Sequence, residues 1–310
     1  MINPDAFLNK FWLFMADQAT AFVKNDVGPS DDTNTTDDLG QTNNLYTSFL
    51  HVPIWKCGNN NIRHNLEKIL PGSKSVAISI NQGSTEERWR EYIGNQGRNF
   101  QSACIVAVVR DPVSHFLSGY NEYEHRLNNE VGTNTKEQRR WSGNPVNFER
   151  FSFGTKGRFE QFVVDFLNGP NQNKVFDYWN NLYHMFSMTG MLTRLYQIHR
   201  RKLTGYLPSV NDLETNYPSF LNETCPGVLP ESAYEPWKKE DRVFHESEAD
   251  ELGFRSATNA VWESGGRTAR ALCFIHAIDY ACFDKIPVPD ICIEVYLGEP
   301  FLNGVLSSRL

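Results

Sequence analysis

The chain has 310 residues, 40% hydrophobic and 22% charged, a composition that excludes a disordered tail or a peptide module and allows one large domain or two small ones. Thirty Lys and Arg stand against 37 Asp and Glu, for a formal net charge of −7. That balance excludes a protein whose main task is to coat nucleic acid, while leaving room for local basic patches.

Residues 1–24 read as an N-terminal amphipathic helix. Lys10 and Asp17 interrupt its apolar run, so no transmembrane span is expected, and neither a basic leader nor a small-residue cleavage site is evident. Residues 25–44 form an acidic flexible linker, with five Asp (26, 31, 32, 37, 38) and no Lys or Arg. This segment carries most of the net charge. The folded body is then expected over residues 45–310, with no internal repeat.

Leu45 to Val52 reads as a strand, followed by a turn and a helix carrying Ile62, Leu66 and Ile69 at helical spacing. Ser75 to Ile80 reads as a second strand, and Ser84-Thr85-Glu86-Glu87 as a capping box opening a helix. Ala103 to Val109 is a near-continuous apolar run, as expected of a strand covered on both faces. It ends at Arg110-Asp111-Pro112, where another helix starts with proline in its first turn. Later, Phe159, Phe162, Val163, Phe166 and Leu167 make a helical stripe stopped by Gly169-Pro170. Residues 204–236 read as loop with a short helix at Asp212 to Leu221, and Arg267 to Phe283 as one long helix. The expected fold is α/β: a P-loop-like parallel sheet flanked by helices, with a mostly helical C-terminal half.

Six cysteines (57, 104, 225, 273, 282, 292) show no C-x-x-C pair and mostly sit in apolar runs, which reads as reduced core cysteine. No metal-ligand cluster is visible; Cys273 and His276 lie in an apolar helix and read as packing. Asn34-Thr35-Thr36 and Asn222-Glu223-Thr224 fit the glycosylation pattern, a triplet that chance also produces. The lack of an evident signal or anchor points to the cytoplasm, with the Golgi lumen, implied by the family resemblance given below, as the alternative.

Two strand-to-helix turns carry the chemistry. In the first, Lys56-Cys57-Gly58-Asn59-Asn60-Asn61, the free N–H groups and positive pole of a helix suit a phosphate. Gly58 would let the backbone approach the anion, Lys56 adds a mobile cation, and the three asparagines can cap or donate. An ordinary turn would look the same, and the Walker A pattern is absent. In the second turn Arg110 could grip another phosphate with its guanidinium fork, Ser118 shares a helical face with Ser114, and Asp111 could cap the helix or orient Arg110. The plain reading of Arg110-Asp111-Pro112 by itself is an ion pair closing a strand.

Taken together, the two turns resemble those of the sulfotransferase superfamily, in particular its carbohydrate-type branch, whose donor is 3′-phosphoadenosine 5′-phosphosulfate (PAPS). Lys56-Cys57-Gly58 is similar to the core of the family's P-x-K-x-G-[ST]-[ST] phosphosulfate loop. Arg110-Asp111-Pro112 with Ser118 and Tyr120 is similar to its 3′-phosphate motif R-D-P-x-x-R-x-x-S-x-Y. Ile54 and Trp55 separate Pro53 from Lys56, Asn59 and Asn60 replace hydroxyl residues, and His115 stands where the family often has Arg. The resemblance implies transfer of a sulfuryl group from PAPS to a hydroxyl or amine of a glycan or small-molecule acceptor, with Lys56 neutralising charge on the leaving phosphate. It implies PAPS contacts from residues 56–61, Arg110 and Ser118.

An acceptor hydroxyl also needs a base. Glu86 and Glu87 follow the second strand and are the first candidates, with His125 and His184 behind them. Lys136 to Arg158 and Arg194 to Lys202 are basic stretches that could guide an anionic acceptor. A P-loop kinase-type phosphotransferase and a non-catalytic nucleotide-binding protein on the same scaffold are the alternative readings.

Overall fold

The computed structural model describes residues 48–52, 54, 56–69, 103–130, 150–167, 185, 187–190, 192, 203–238 and 252–298, and of residues 48, 59, 60, 63, 67, 103, 126, 127, 129 and 130 the backbone alone. The helix expected over 1–24, the linker expected over 25–44, the strand expected at 75–80, Glu86, Glu87, His184 and the stretch 194–202 lie outside the described residues. Those described fall into two compact units, one drawn from 18–110 and 191–240, the other from 111–190 and 241–310.

The first unit is built on a parallel three-stranded sheet of order β1-β2-β3: β1 Ser48–Val52, β2 Ala103–Val108 and β3 Gly205–Leu207. Ser48 pairs with Ala103 through to Val52 with Ala107, and Val106 to Val108 pair with Gly205 to Leu207. Cys104, Ile105, Val106, Ala107 and Val108 of the central strand are fully buried, which is why β2 reads as an unbroken apolar run. Helix α1 (Asn59–Ile69) follows β1 and buries Ile62 and Leu66, so the first strand–loop–helix stands as expected.

Strand β3 was not foreseen in the stretch read as loop. Three residues are too few to show a period. The strand is held through its backbone instead: Thr204 N–H donates to Ile105 O at 2.6 Å and Val109 N–H to Leu207 O at 2.9 Å. The short helix expected at 212–221 runs as α4, Leu213–Thr224, with Pro218 inside it. Proline has no N–H to give to Glu214 O one turn earlier. The Trp237 N–H supplies that bond from outside the helix, at 2.7 Å.

The second unit is helical in its described residues: α2 Pro112–Glu130, α3 Lys156–Leu167, α5 Phe254–Glu263, α6 Arg267–Ile275, α7 Ala277–Cys282 and α8 Asp290–Gly298. Phe116 of α2 meets Phe159, Phe162 and Phe166 of α3 at ring separations of 5.3–6.5 Å, so the predicted stripe is the core face. Helix α5 packs on α2 and α3, and α6 on α3 and α8.

The single helix expected over 267–283 is two, broken at His276, whose backbone leaves the helical region (φ −101°, ψ 11°). Its ring is fully buried and pairs through Nδ1 with Asp279 Oδ2 at 2.9 Å. Asp279 also accepts from Ser187 Oγ and from the Thr189 N–H, each at 2.7 Å. Burial opposes ionisation of Asp279, but these donors outweigh it and hold the carboxyl below its ordinary range.

The reduced-cysteine reading is corrected. Cys104 is bonded to Cys225 within the first unit and Cys273 to Cys292 within the second, leaving Cys57 and Cys282 without a disulfide. One bridge ties β2 to the residue after α4, the other ties α6 to α8. In loop-closure terms they contribute roughly 5 and 3 kcal/mol. No local spacing marks partners 121 residues apart, and a buried bridge has the same apolar neighbours as a buried thiol.

The basic stretch 136–158 is corrected at its end. Arg158 is buried, not a surface cation: it pairs with the buried Glu124, donates to Phe151 O at 2.9 Å and lies 4.0 Å over the Phe153 ring.

Candidate functional site

In a parallel sheet the loops at the carboxyl ends of adjacent strands open on the same edge. The loop after β1 carries Lys56, Cys57 and Gly58; Arg110 follows β2 by two residues. All four belong to the first unit, and Arg110 Nη1 donates to Lys56 O at 3.3 Å. The two sequence-predicted cations thus share one corner, both half-buried. Arg110 makes no ion pair among the described residues.

The loop is tightly shaped. Cys57 N–H closes a turn on Ile54 O at 3.2 Å, and Ile62 N–H opens α1 on Gly58 O at 3.1 Å. Gly58 has φ +75° and Lys56 has φ +61°, both in the left-handed region. For a lysine this costs about 1–2 kcal/mol, and such outliers gather at ligand-binding turns. Gly58 is required for a second reason: a Cβ there would stand 2.2 Å from Leu213 Cδ1. The glycine therefore admits Leu213 of α4 against the loop.

Asn61 also has a partner. Its Nδ2 donates to Glu214 Oε1 at 2.7 Å, and its Oδ1 accepts from Asn65 Nδ2 at 2.6 Å. It fastens α1 to α4 instead of offering its whole amide to the loop. Cys57 is fully buried, so a contact from residue 57 to a ligand would be made by its backbone. The side chains of Asn59 and Asn60 lie outside the described residues, and their backbones form the first turn of α1.

The rest of the second motif lies in the second unit. Asp111 caps α2, accepting from the Ser114 N–H at 2.7 Å through Oδ1, while Oδ2 accepts from Tyr280 Oη at 2.6 Å. Both oxygens are engaged, Oδ1 in the capping role read from sequence. Ser118 is half-buried on α2, on the face of Ser114. Tyr120 is a core residue, its ring 4.7 Å from those of Phe159 and Phe162. Burial, together with Glu124, pushes its hydroxyl well above the usual range. His115 is fully buried. His125 is half-buried on the same helix.

One pair near the first loop was not singled out from sequence. Tyr217 Oη and His51 Nδ1 lie 2.8 Å apart, with Tyr217 fully buried on α4 and His51 next to last in β1. The signal was a histidine at a strand's carboxyl end, and sequence spacing could not bring Tyr217 to it across 166 residues. No cluster of three His, Cys, Asp or Glu capable of holding a metal occurs among the described residues. No helix among them is long and apolar enough to cross a membrane.

No family model, curated protein or solved structure matches the chain.

Proposed function

We propose that the chain is a PAPS-dependent sulfotransferase on a P-loop-like scaffold, acting on a hydroxyl or amine of a glycan or small molecule. One observation carries the reading: Lys56 and Arg110 close the ends of adjacent parallel strands and are joined by the bond from Arg110 Nη1 to Lys56 O. A bisphosphate nucleotide needs two anion grips a fixed distance apart, and two cations on neighbouring strand ends supply them.

In the proposed reaction the acceptor oxygen or nitrogen bonds to sulfur in line, the S–O bond to the 5′-phosphate breaks, and adenosine 3′,5′-bisphosphate leaves with the electron pair. As in phosphoryl transfer, catalysis here rests on positioning and charge neutralisation. Lys56 balances charge on the departing 5′-phosphate. Arg110 holds the 3′-phosphate, and the backbone N–H groups from Gly58 to Asn61 are the proposed donors to the 5′-phosphosulfate. Glu86 and Glu87 remain the proposed bases for the acceptor proton.

Calorimetry with adenosine 3′,5′-bisphosphate and with ATP tests this. Binding of the bisphosphate that Arg110→Ala weakens at least tenfold is expected, about 1.4 kcal/mol or more. Absence of bisphosphate binding, or binding that Arg110→Ala leaves unchanged, overturns the proposal; preference for ATP with Mg²⁺ points to a kinase-type transferase. Slow hydrolysis of labelled PAPS that Lys56→Ala abolishes separates an enzyme from a binder.

A further inference from the structure

Four of the six cysteines are paired, each bridge lying wholly within one compact unit. Disulfides of this structural kind form and persist in oxidising compartments and are rare where thiols are kept reduced. The first unit places a glycosylation triplet beside one of them. Asn222-Glu223-Thr224 forms the last turn of α4, immediately before Cys225, and its middle residue is not proline. Asn222 and Glu223 are exposed.

From these two observations we infer that the protein matures in an oxidising secretory lumen and carries an N-linked glycan on Asn222. The cytoplasmic expectation drawn from sequence gives way to the lumenal alternative. The inference is independent of the sulfotransferase reading, since it uses neither Lys56 nor Arg110.

The modification is a group transfer from a lipid-pyrophosphate oligosaccharide. The Asn222 Nδ2 bonds to the sugar's anomeric carbon while the bond from that carbon to the pyrophosphate oxygen breaks. The lipid pyrophosphate departs with the electron pair, and one amide proton passes to a base of the transferring enzyme. The transfer precedes folding, so the helical setting of the triplet in the native state does not obstruct it. Folding must leave the substituted side chain in solvent, because a glycan is bulky and polar. Residue 222 meets that condition. Thr224, half-buried, is needed only while the chain is still extended.

The test uses the full chain produced in eukaryotic cells. It is purified with free thiols blocked and digested without reduction. A peptide N-glycosidase in ¹⁸O-water then marks each former glycan site as a labelled aspartate. The expected peptides are Cys104 linked to Cys225, Cys273 linked to Cys292, and labelled residue 222. Asn222→Gln should remove one glycan while Thr224→Ser keeps it, and the wild-type peptide map holds whichever variants fold. Blocked, unlinked thiols at these four cysteines overturn the compartment; bridges with an unlabelled residue 222, or a glycan on Asn34 alone, overturn the modification.

Discussion

Gly58→Ala separates two reasons for a glycine at the head of α1. At φ +75° an alanine costs about 1–2 kcal/mol of backbone strain, partly offset by about 0.4–1 kcal/mol from a less flexible unfolded chain. The larger effect is spatial. The new Cβ would stand 2.2 Å from Leu213 Cδ1, whereas carbon atoms settle near 3.5–4.0 Å. Leu213 is buried and has to withdraw by more than about 1 Å, an overpacking worth about 1–3 kcal/mol. The net loss is about 1–4 kcal/mol, felt where α1 meets α4. Hydrogen exchange read by mass spectrometry on peptides from 59–69 and 213–224 should show protection falling about tenfold for each 1.4 kcal/mol. In a Leu213→Ala background the clash disappears and only the strain remains, so the same substitution should cost about 1 kcal/mol. Equal costs in the two backgrounds would refute the contact, and no cost in either would refute the left-handed geometry as well.

Asp279 ionises more readily folded than unfolded, so its contribution is present above the ordinary carboxylate pKa of about 4 and is lost as the pH falls toward the depressed value. Acid unfolding of the second unit should therefore lose steepness below about pH 4 in Asp279→Asn, and an unchanged acid limb would contradict this. Tyr280→Phe leaves Asp111 Oδ2 without its donor and should cost about 1–3 kcal/mol in urea unfolding; a neutral substitution would mean the bond contributes nothing net. Burial, and after it the nearby Asp279 charge, push the Cys282 thiol up to about 11. At pH 8 its alkylation should be about two orders of magnitude slower than that of an exposed thiol, so rapid labelling in the native state would refute that environment.

What could be read from sequence was what repeats locally. The unbroken apolar run of β2, the 3.6-residue stripe of α3 and the glycine and arginine at two strand ends each carry their signal within a dozen residues. What escaped depended on partners far along the chain. Cys104 finds Cys225, Asn61 finds Glu214, and His51 finds Tyr217, each more than 100 residues away. The same distance hides one neighbour of each of two motif residues. Asp111 caps α2 as its place ahead of a helix allowed, but nothing local announces Tyr280 at its second oxygen. Nor does anything near Gly58 in sequence announce Leu213.

The proline in α4 makes Glu214 a junction. Its carboxylate holds α1 through Asn61, while its carbonyl, left vacant by Pro218, holds the returning chain at Trp237. Restoring an N–H with Pro218→Ala would fill that carbonyl from within the helix and release the strap that ends at Trp237. A residue usually regarded as a flaw in a helix here keeps one acceptor open, so that three distant stretches of chain close on a single side of the Lys56 loop's own helix.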